Sequence, residues 1–396
     1  MTNRRAVIAG GGIGGLASAL ALAQSGWEVE VLEQAPELRE VGAGIQVSPN
    51  GMKMLERLGV LPHLEHSLFE PEAIELRMGR TGRRVFRLPM KGYAQDRWGH
   101  RFIQIHRADL HDALAQAVRA QPKAQLRTNA KITGYVRERG GASVYLERGE
   151  RVFGDVVIGA DGVRSVIRNQ MCGTDRARFT GQVAWRTVVP VDALGDNAPP
   201  PYGVIWAGRG KHAVTTRVKG GSHVNFVGIV EQDSWTEEGW SIPGSIEEAL
   251  ADFGDWQPCL RAVLEASQGL FRWALYGRPP LATWCDGPVT LLGDAAHPML
   301  PSMAQGAVMA LEDAVVLAQM LERHADKTAA LQAYEAARKP RTTRVQQRSA
   351  MNARMFHRPN AAAQLATYGP MALAGHLSAS VIHRQQDWIY GFDAGS

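Results

Sequence analysis

A glycine-rich turn near the start of the chain constrains the fold more than any other feature of the sequence. Residues 10–15 read Gly-Gly-Gly-Ile-Gly-Gly and follow a short apolar segment at 5–9. Residues 16–24 then have a helical composition, and residues 28–33 alternate polar and apolar side chains. Strand, glycine turn, helix and strand in this order predict the first unit of a Rossmann-like sheet.

The spacing Gly10-x-Gly12-x-x-Gly15 is typical of a turn that binds a dinucleotide. The first glycine permits the tight turn, the second lets a pyrophosphate approach the backbone, and the third lets the helix pack on the strand. Glu33 lies 21 residues after Gly12. A spacing of roughly 20 is expected for a carboxylate that binds a ribose hydroxyl. The residues predicted to bind the dinucleotide here are Gly10, Gly12, Ile13, Gly14, Gly15, Glu33 and Gln34.

Length, charge and cysteine content exclude several classes of protein. The 396 residues exceed what one hydrophobic core usually supports, so we expect two domains. The net charge is +5, but the basic residues are scattered without interleaved aromatic side chains, which argues against a nucleic-acid partner. The three cysteines lack CxxC spacing, which argues against a disulfide framework and against a zinc site. We therefore expect no metal ion and a reducing compartment.

The sequence also gives an expectation about membranes and export. No stretch reaches the roughly 18 uninterrupted apolar residues of a membrane span. Residues 4–23 superficially resemble a signal peptide, but their glycines fall at the spacing of a nucleotide loop. We therefore expect a cytoplasmic protein without a membrane partner.

The middle of the chain has a different pattern of predicted secondary structure from its ends. Residues 109–120 have helical periodicity, and residues 132–136, 143–146 and 152–158 are predicted to form a strand meander. Strand-like segments separated by Gly and Pro turns then run from about 174 to 280. A buried-type strand at 288–292 and a helix at 304–323 follow, which indicates that the first domain resumes after an insertion.

Two further glycine motifs narrow the choice of cofactor. The first reads Gly-Ala-Asp-Gly-Val-Arg-Ser at 159–165, and the second reads Leu-Leu-Gly-Asp-Ala-Ala-His-Pro at 291–298. Asp294 ends an apolar strand, where its carboxylate suits the hydroxyl groups of a sugar chain. Pro298 bends the chain, and a helix begins within 303–307, so its N-terminal dipole is placed to stabilise negative charge on a bound ring.

The order and the residues of these three motifs resemble those of the group A flavoprotein aromatic hydroxylases of the para-hydroxybenzoate hydroxylase type. The resemblance extends over about residues 5–345. The resemblance implies a bound FAD, with NADH or NADPH and O2 as transient co-substrates. It also implies that Arg107, Asp161, Asp294, Gly306 and Ala307 contact the FAD. No second GxGxxG motif follows, in keeping with a family that lacks a separate NAD(P)H domain.

The fold class implied is α/β. A Rossmann-like FAD-binding domain of the glutathione-reductase type carries an inserted mixed-sheet substrate domain and C-terminal helices. We expect the FAD-binding domain at 1–173 and 281–345, the substrate domain at 174–280 and a helical tail at 346–396. A homodimer is common among relatives, although the sequence does not reveal the oligomeric state.

The substrate pocket combines features of two groups of relatives. His212 matches the catalytic histidine of 3-hydroxybenzoate and 6-hydroxynicotinate hydroxylases, but Thr216 stands where those relatives carry a tyrosine. Pro301 replaces a glutamine of the 3-hydroxybenzoate 6-hydroxylases, whereas Gln46 and Ser302 replace histidines of the 6-hydroxynicotinate enzyme. With Pro298, these residues form the expected pocket. Three arginines, Arg186, Arg217 and Arg278, are equal candidates for binding a substrate carboxylate.

The resemblance predicts a monooxygenase that hydroxylates a small phenolic or hydroxylated N-heteroaromatic carboxylic acid through a flavin hydroperoxide. Histidine has a pKa suited to removing the proton of the substrate hydroxyl. An oxidase or an epoxidase of the same fold is the alternative. A binding module without catalytic activity is a second alternative, and failure to retain FAD would favour it.

Overall fold

The computed structural model describes residues 4–38, 43–173, 177–235, 242–377 and 379–395. The strands are β1 Arg5–Ala9, β2 Glu28–Leu32, β3 Gly44–Val47, β4 Ala73–Met78, β5 Arg84–Pro89, β6 Ile103–His106, β7 Ala124–Arg127, β8 Ile132–Glu138, β9 Gly141–Leu146, β10 Arg151–Gly154, β11 Val156–Gly159, β12 Arg178–Pro190, β13 Gly203–Ala207, β14 Lys211–Val218, β15 His223–Glu231, β16 Ile242–Pro243, β17 Phe271–Gly277, β18 Cys285–Asp286 and β19 Val289–Leu291. The helices are α1 Ile13–Gln24, α2 Pro49–Arg57, α3 Tyr93–Trp98, α4 Arg107–Arg119, α5 Val166–Cys172, α6 Ile246–Phe253, α7 Pro258–Glu265, α8 Gly306–Arg323, α9 Lys327–Phe356, α10 Ala361–Leu377, α11 Ala379–Arg384 and α12 Asp387–Tyr390.

A six-stranded sheet forms the centre of the first domain, in the order β18-β19-β11-β1-β2-β7. Its strands from β19 to β7 are parallel, and β18 is antiparallel to β19. Helix α1 packs against β1 and β2 and against α4 and α8. The apolar side chains of β1 and α1 are almost fully buried, as expected of a parallel sheet covered by helices. This confirms the predicted fold class.

The predicted strand at 152–158 divides into two strands of different sheets. Residues of β10 join an antiparallel sheet with β8 and β9, whereas β11 joins the parallel sheet beside β1. Asp155 lies between them, where its side chain accepts a hydrogen bond from the N–H of Arg5 at 2.7 Å and its own N–H donates to the Arg5 carbonyl at 2.8 Å. These two bonds bring the chain from one sheet to the other, so the prediction of a single strand was wrong.

An eight-stranded sheet forms the second domain, in the order β16-β17-β12-β15-β14-β13-β4-β5. Its neighbouring strands are antiparallel except β13 and β4, which are parallel. Strands β4 and β5 come from residues 73–89, far from the predicted insertion at 174–280. The boundary predicted after residue 173 falls at 174–176, outside the described residues, and the division of the chain at 280 and 345 stays a prediction.

The two faces of this sheet have different neighbours. One face carries Trp185, Trp206 and Phe226, which pack with Phe253 of α6 and Leu260 of α7. On the other face, Ile229 packs with Leu300, which follows the third glycine motif. We call this other face the pocket face, because it meets the first domain. Strand pairing places on it Ala184, Arg186, His212, Val214, Thr216, Asn225, Val227 and Ile229.

The C-terminal part is helical and packs on both domains. Helix α9 continues through Pro340, and its length brings residues 346–356 next to the segment 298–303 and the pocket face. Tyr390 packs against Trp98, with ring centroids 5.0 Å apart, which anchors the end of the chain to the first domain. Among the described residues, no helix is long and apolar enough to cross a membrane.

Candidate active site

The three key glycines of the first turn play different structural roles. Gly10 has a φ of +100°, and a Cβ there would lie 2.6 Å from the carbonyl oxygen of Ala160. A Cβ on Gly15 would lie 2.0 Å from the carbonyl oxygen of Gly10. A Cβ on Gly12 would have no protein atom within 4 Å. The protein's own packing therefore requires Gly10 and Gly15, whereas Gly12 faces open space, where a pyrophosphate could approach the backbone.

The helix that follows the turn begins at Ile13, immediately after Gly12. Gly14 faces the third motif, because a Cβ there would lie 2.7 Å from Cδ2 of Leu292. The first N–H groups of α1 have no side-chain cap from Gly12. Such N–H groups at a helix N-terminus bind phosphate oxygens well, so the turn fits the pyrophosphate of FAD.

Glu33 closes the turn from the second strand. Its Oε2 accepts a hydrogen bond from the N–H of Gly11 at 2.7 Å, and its Oε1 accepts one from the N–H of Ala35 at 2.9 Å. Each carboxylate oxygen has a second lone pair that suits a ribose hydroxyl. Gln34 lies beside it and lines a surface pocket with Arg127. The structure thus joins Glu33 to the glycine turn, and its binding of a ribose stays a prediction.

His111 is a residue of this turn that the sequence analysis missed. Its Nε2 lies 2.7 Å from the carbonyl oxygen of Gly11 and therefore donates the hydrogen. His111 lies four residues after Arg107 on α4, a spacing that puts both side chains on one face of the helix. That spacing was the available signal. The bond ties the helix that carries Arg107 to the glycine turn.

The charge of Arg107, at the start of α4, acts on Asp294 of the third motif. Water reaches the Asp294 side chain, although residues 293 and 295–298 around it are buried. Burial of its other sides raises the pKa of the Asp294 carboxyl, and the charges of His297 and Arg107 oppose that rise. Because solvent reaches the carboxylate, screening limits these effects. An accessible carboxylate next to an arginine suits the hydroxyl and phosphate groups of a flavin nucleotide.

The second motif is built around Asp161. Its Oδ2 accepts hydrogen bonds from the N–H groups of Val166 at 2.7 Å and Ile167 at 3.3 Å, which caps α5. Burial raises the pKa of the Asp161 carboxyl. Its Oδ1 is buried without a hydrogen-bond partner among the described residues. A buried oxygen without a partner is costly, so a ligand hydroxyl would stabilise this arrangement.

A buried ionic network holds the third motif in place. Asp313 of α8 accepts hydrogen bonds from the N–H of Gly293 at 3.1 Å, from Nε of Arg338 at 2.7 Å and from His297, whose Nε2 is 2.5 Å away. Arg338 also pairs with Glu312 at 2.7 Å, and none of the three charged side chains is more than 1% exposed. These contacts hold the pKa of the Asp313 carboxyl below its usual value despite burial.

The sequence analysis missed Asp313, Glu312 and Arg338. An acidic pair within the otherwise apolar helix 306–323 was the available signal, because buried carboxylates need buried partners. We call Asp313, Glu312 and Arg338 the buried clamp.

The segment after the third motif is fixed from α9. Gln346 donates to the carbonyl of Pro298 at 2.9 Å, and Ser349 donates to the carbonyl of Leu300 at 2.5 Å. Pro301 is exposed, Ser302 is half-buried, and Ala304 adopts a left-handed φ of +50° before α8 begins. Gly306 and Ala307 form the first turn of α8 and are half-buried. The predicted helix N-terminus therefore lies at Gly306, directly after the segment that bends at Pro298.

The pocket face places His212 and Thr216 four residues apart on one strand. At about 3.3 Å per residue their Cα atoms are roughly 13 Å apart, with Val214 between them on the same face. Thr216 accepts a hydrogen bond from Asn225 at 3.1 Å, and Asn225 accepts one from the N–H of Gly44 at 2.6 Å. Gln46 lies two residues beyond Gly44, so the structure brings Gln46 to the Thr216 end of the face.

His212 is buried and is hydrogen-bonded to a second histidine. Its Nδ1 lies 2.5 Å from Nε2 of His357, and Nδ1 of His357 lies 3.0 Å from Oε1 of Glu231. Burial, together with the charge of His357, lowers the pKa of His212 well below its usual value. His212 is therefore a neutral imidazole at neutral pH. The sequence analysis missed His357, which lies outside any motif.

The three candidate arginines occupy three different places. Arg217 points away from the pocket face and donates to the carbonyl of Pro199 at 2.7 Å. Arg278 donates to the carbonyl of Val163 at 3.3 Å, in the second motif. Arg186 lies on the pocket face, with its guanidinium 5.0 Å from the ring centroid of Trp273. The geometry thus distinguishes the three arginines, which sequence alone left equal.

Comparison with known proteins places this arrangement in a family. Residues 4–349 match the family model described as FAD binding domain. The 3-hydroxybenzoate 6-hydroxylase 1 of Aquipseudomonas alcaligenes is 35% identical over 386 residues, which cover 97% of each chain. The 6-hydroxynicotinate 3-monooxygenase of Bordetella bronchiseptica is 34% identical over 345 residues, which cover 86% of this chain and 89% of that protein.

A solved structure agrees with these matches. HpxO of Klebsiella pneumoniae, complexed with FAD and uric acid, has a TM-score of 0.85 at 27% identity, covering 98% of this chain and 97% of that one. The resemblance to flavoprotein hydroxylases and the FAD cofactor, both predicted from the sequence, are confirmed. The roles of the individual site residues stay predictions.

Proposed function

Since the chain belongs to the FAD binding domain family, we propose that it is a monooxygenase that hydroxylates a small phenolic or hydroxylated N-heteroaromatic carboxylic acid. The co-substrates are O2 and NADH or NADPH. The observation that carries the substrate assignment is the buried, neutral His212 on the face that meets the segment after Asp294. We also propose that the protein is cytoplasmic, as expected from the sequence, and a homodimer, as is common among relatives.

The residues of the first domain fit FAD. The N–H groups beyond Gly12 would bind the pyrophosphate, Glu33 would bind the adenosine ribose, and Arg107 with Asp294 would bind the remaining phosphate and hydroxyl groups. When bound, FAD supplies the redox chemistry, taking a hydride from NAD(P)H and activating O2. The protein holds the cofactor and the substrate together and keeps water away from the reacting atoms.

His212 would accept the proton of the substrate hydroxyl. A hydroxylated ring is more electron-rich, and so more reactive toward an electrophilic oxygen, once that proton has left. A neutral imidazole accepts a proton, whereas a protonated one cannot, so burial keeps His212 in the form that this role requires. Because His212 is buried, bulk water does not compete with its imidazole for the proton of the substrate hydroxyl.

Arg186 would bind the substrate carboxylate. It lies on the same face as His212, two strands away across β15. A guanidinium binds a carboxylate with two parallel hydrogen bonds, which fixes the orientation of the ring. Thr216 is smaller than the tyrosine that the relatives carry at this position, so the pocket would be wider at its Thr216 end.

The test is substrate-dependent oxidation of NADH or NADPH by the purified yellow protein. A panel of hydroxybenzoates and hydroxypyridine carboxylates is supplied in turn, and the products are identified after reaction under labelled O2. We expect one labelled oxygen atom in the product of the best substrate. A dehydrogenated product without labelled oxygen would refute hydroxylation and support an oxidase.

The role of His212 is tested by His212→Ala. Turnover should fall by roughly 100-fold or more, as for loss of a general base, while the FAD dissociation constant stays near that of the wild type. Unchanged turnover would reject this role. Thr216→Val is the matched control, because it changes the same face without removing an ionisable group.

A further inference from the structure

Three polar side chains form a chain of hydrogen bonds from the pocket face to the surface. His212 is 1% exposed, the side chain of His357 is fully buried, and the side chain of Glu231 is 55% exposed. The two bonds that join them measure 2.5 Å and 3.0 Å. Glu231 ends strand β15, and His357 directly follows α9, so three separate elements supply the chain.

The surroundings isolate these groups from other charges. Burial lowers the pKa of His357, and the hydrogen bond and charge of Glu231 oppose that effect. The charge that acts on His212 is that of His357. The adjacent Lys211 contacts the carbonyl oxygen of Asp252 and lies 3.5 Å from Asp255, away from the pocket face.

The other neighbours of the chain are apolar or act elsewhere. The ring of Phe356 lies 5.1 Å from that of His212, and Ile229 pairs with His212 across the sheet. Arg358 follows His357 in sequence, and its charge acts on Tyr368, where it opposes the rise in pKa that burial causes. Of the described residues, Glu231 is therefore the charged group that acts on His357, and His357 is the one that acts on His212.

The hydrogen positions follow from elementary chemistry. An ionised carboxylate only accepts hydrogen bonds, so Nδ1 of His357 carries the hydrogen donated to Glu231. A neutral imidazole has one N–H, so Nε2 of His357 accepts, and Nδ1 of His212 is the donor. Neutral His212 must then present its lone pair on Nε2. This nitrogen has no hydrogen-bond partner among the described residues, and a base needs such a lone pair.

We propose that His212, His357 and Glu231 form a relay that carries the proton of the substrate hydroxyl from the buried pocket to solvent, which rests on the proposed hydroxylation. The O–H bond of the substrate breaks and its proton joins Nε2 of His212. The proton on Nδ1 of His212 moves to Nε2 of His357, and the proton on Nδ1 of His357 moves to Glu231 and then to water. When the product ring regains aromaticity, its oxygen takes a proton from Nε2 of His212, and the reverse transfers restore the starting tautomers.

The relay solves an electrostatic problem of the buried base. Without it, a proton on His212 would leave a cation in an apolar site, and burial of an isolated charge is strongly unfavourable. With it, the positive charge is passed on and neutralised at Glu231, where solvent is available. His357 and Glu231 are thus positioning residues that act through His212.

The first arm of the test needs no turnover. The holoenzyme is labelled with ¹⁵N-histidine, and the resonances of His212 and His357 are assigned with His212→Asn and His357→Asn. We expect both imidazoles to be neutral with the hydrogen on Nδ1 at neutral pH. A hydrogen on Nε2 of His212 would overturn the relay.

The second arm measures hydroxylation over a range of pH. Glu231→Gln should slow turnover about 10-fold, and His357→Ala should slow it more, since general-base catalysis contributes roughly 100-fold or more. The KM and the FAD dissociation constant should stay unchanged, and added imidazole should restore part of the His357→Ala rate. The matched control is Glu265→Gln, which removes an exposed carboxylate paired with Arg261.

The outcomes separate the relay from the proposed function. Wild-type turnover and pH profile in Glu231→Gln, or an equal loss in Glu265→Gln, would refute the relay. If the wild-type holoenzyme hydroxylates no compound of the panel, the proposed function fails. The tautomers observed by NMR then still decide whether the hydrogen-bonded chain is arranged as inferred.

Discussion

Gly12→Ala should separate FAD binding from folding. Gly12 has φ −74° and ψ −178°, which an alanine adopts without strain. The added methyl group would have no protein atom within 4 Å. Alanine caps a helix less well than glycine, at a cost of up to about 1 kcal/mol. The reduced entropy of the unfolded chain returns about 0.4–1 kcal/mol. The free energy of unfolding of the apoprotein should therefore lie within about 1 kcal/mol of the wild-type value.

The same methyl group should weaken FAD binding strongly. It occupies the space in which the pyrophosphate approaches the backbone, so the phosphate moves away from one or two N–H groups. Each hydrogen bond to a charged group contributes about 1.5–3 kcal/mol. Since 1.4 kcal/mol corresponds to a tenfold change in affinity, we expect a loss of roughly 10- to 100-fold per bond. Quenching of flavin fluorescence on titration of the apoprotein measures this constant.

Gly15→Ala is the matched comparison for this experiment. Its Cβ would lie 2.0 Å from the carbonyl oxygen of Gly10, so α1 and β1 must separate to accommodate it. Gly15→Ala should therefore lower the Tm of the apoprotein as well as FAD affinity. Wild-type FAD affinity in Gly12→Ala, or equal destabilisation of the apoprotein by the two variants, would refute the reasoning.

Three further predictions concern the buried clamp and the substrate. Asp313→Ala removes the buried acceptor of the N–H of Gly293, of His297 and of Nε of Arg338, while Glu312 still pairs with Arg338. The free energy of unfolding should therefore fall by about 1.5–3 kcal/mol in a denaturant titration, against little change for Glu265→Ala. Because the folded-state pKa of Asp313 is lowered, its stabilisation is present above the unfolded pKa of about 3.9 and is lost as pH falls through the folded pKa. The Tm difference between wild type and Asp313→Asn should therefore shrink below about pH 4; a constant difference would contradict this linkage. Arg186→Met should raise KM about 10-fold or more for an acidic substrate and not for its amide, and equal effects on both would exclude carboxylate binding.

The sequence predicted the parts of the site whose chemistry is local. The turn from Gly10 to Gly15 needs particular residues at fixed spacing, because backbone conformation and close approach leave few alternatives. Asp294 was recognisable for a similar reason, since it lies three residues after the buried strand β19, within the third glycine motif. Strand alternation also places His212 and Thr216 on one face without any knowledge of tertiary contacts.

The parts that escaped prediction depend on contacts between distant segments. Strands β4 and β5 extend the substrate sheet although they precede it by about a hundred residues, and nothing in their local pattern names their partner. His357 meets His212 across a sequence separation of 145 residues. Asp313 and Arg338 are recognisable as a pair only once α8 packs against α9.

Helix α9 explains why these contacts matter together. Through Arg338 it holds the third motif, through Ser349 it holds the loop at Leu300, and immediately after its end His357 meets His212. One continuous helix thus connects the third motif to the base on the pocket face. A substitution that loosens the buried clamp should therefore disturb the His212 end as well. This coupling can be measured by NMR. Asp313→Asn should change the ¹⁵N chemical shifts of His212 and His357, although it substitutes neither histidine nor Glu231.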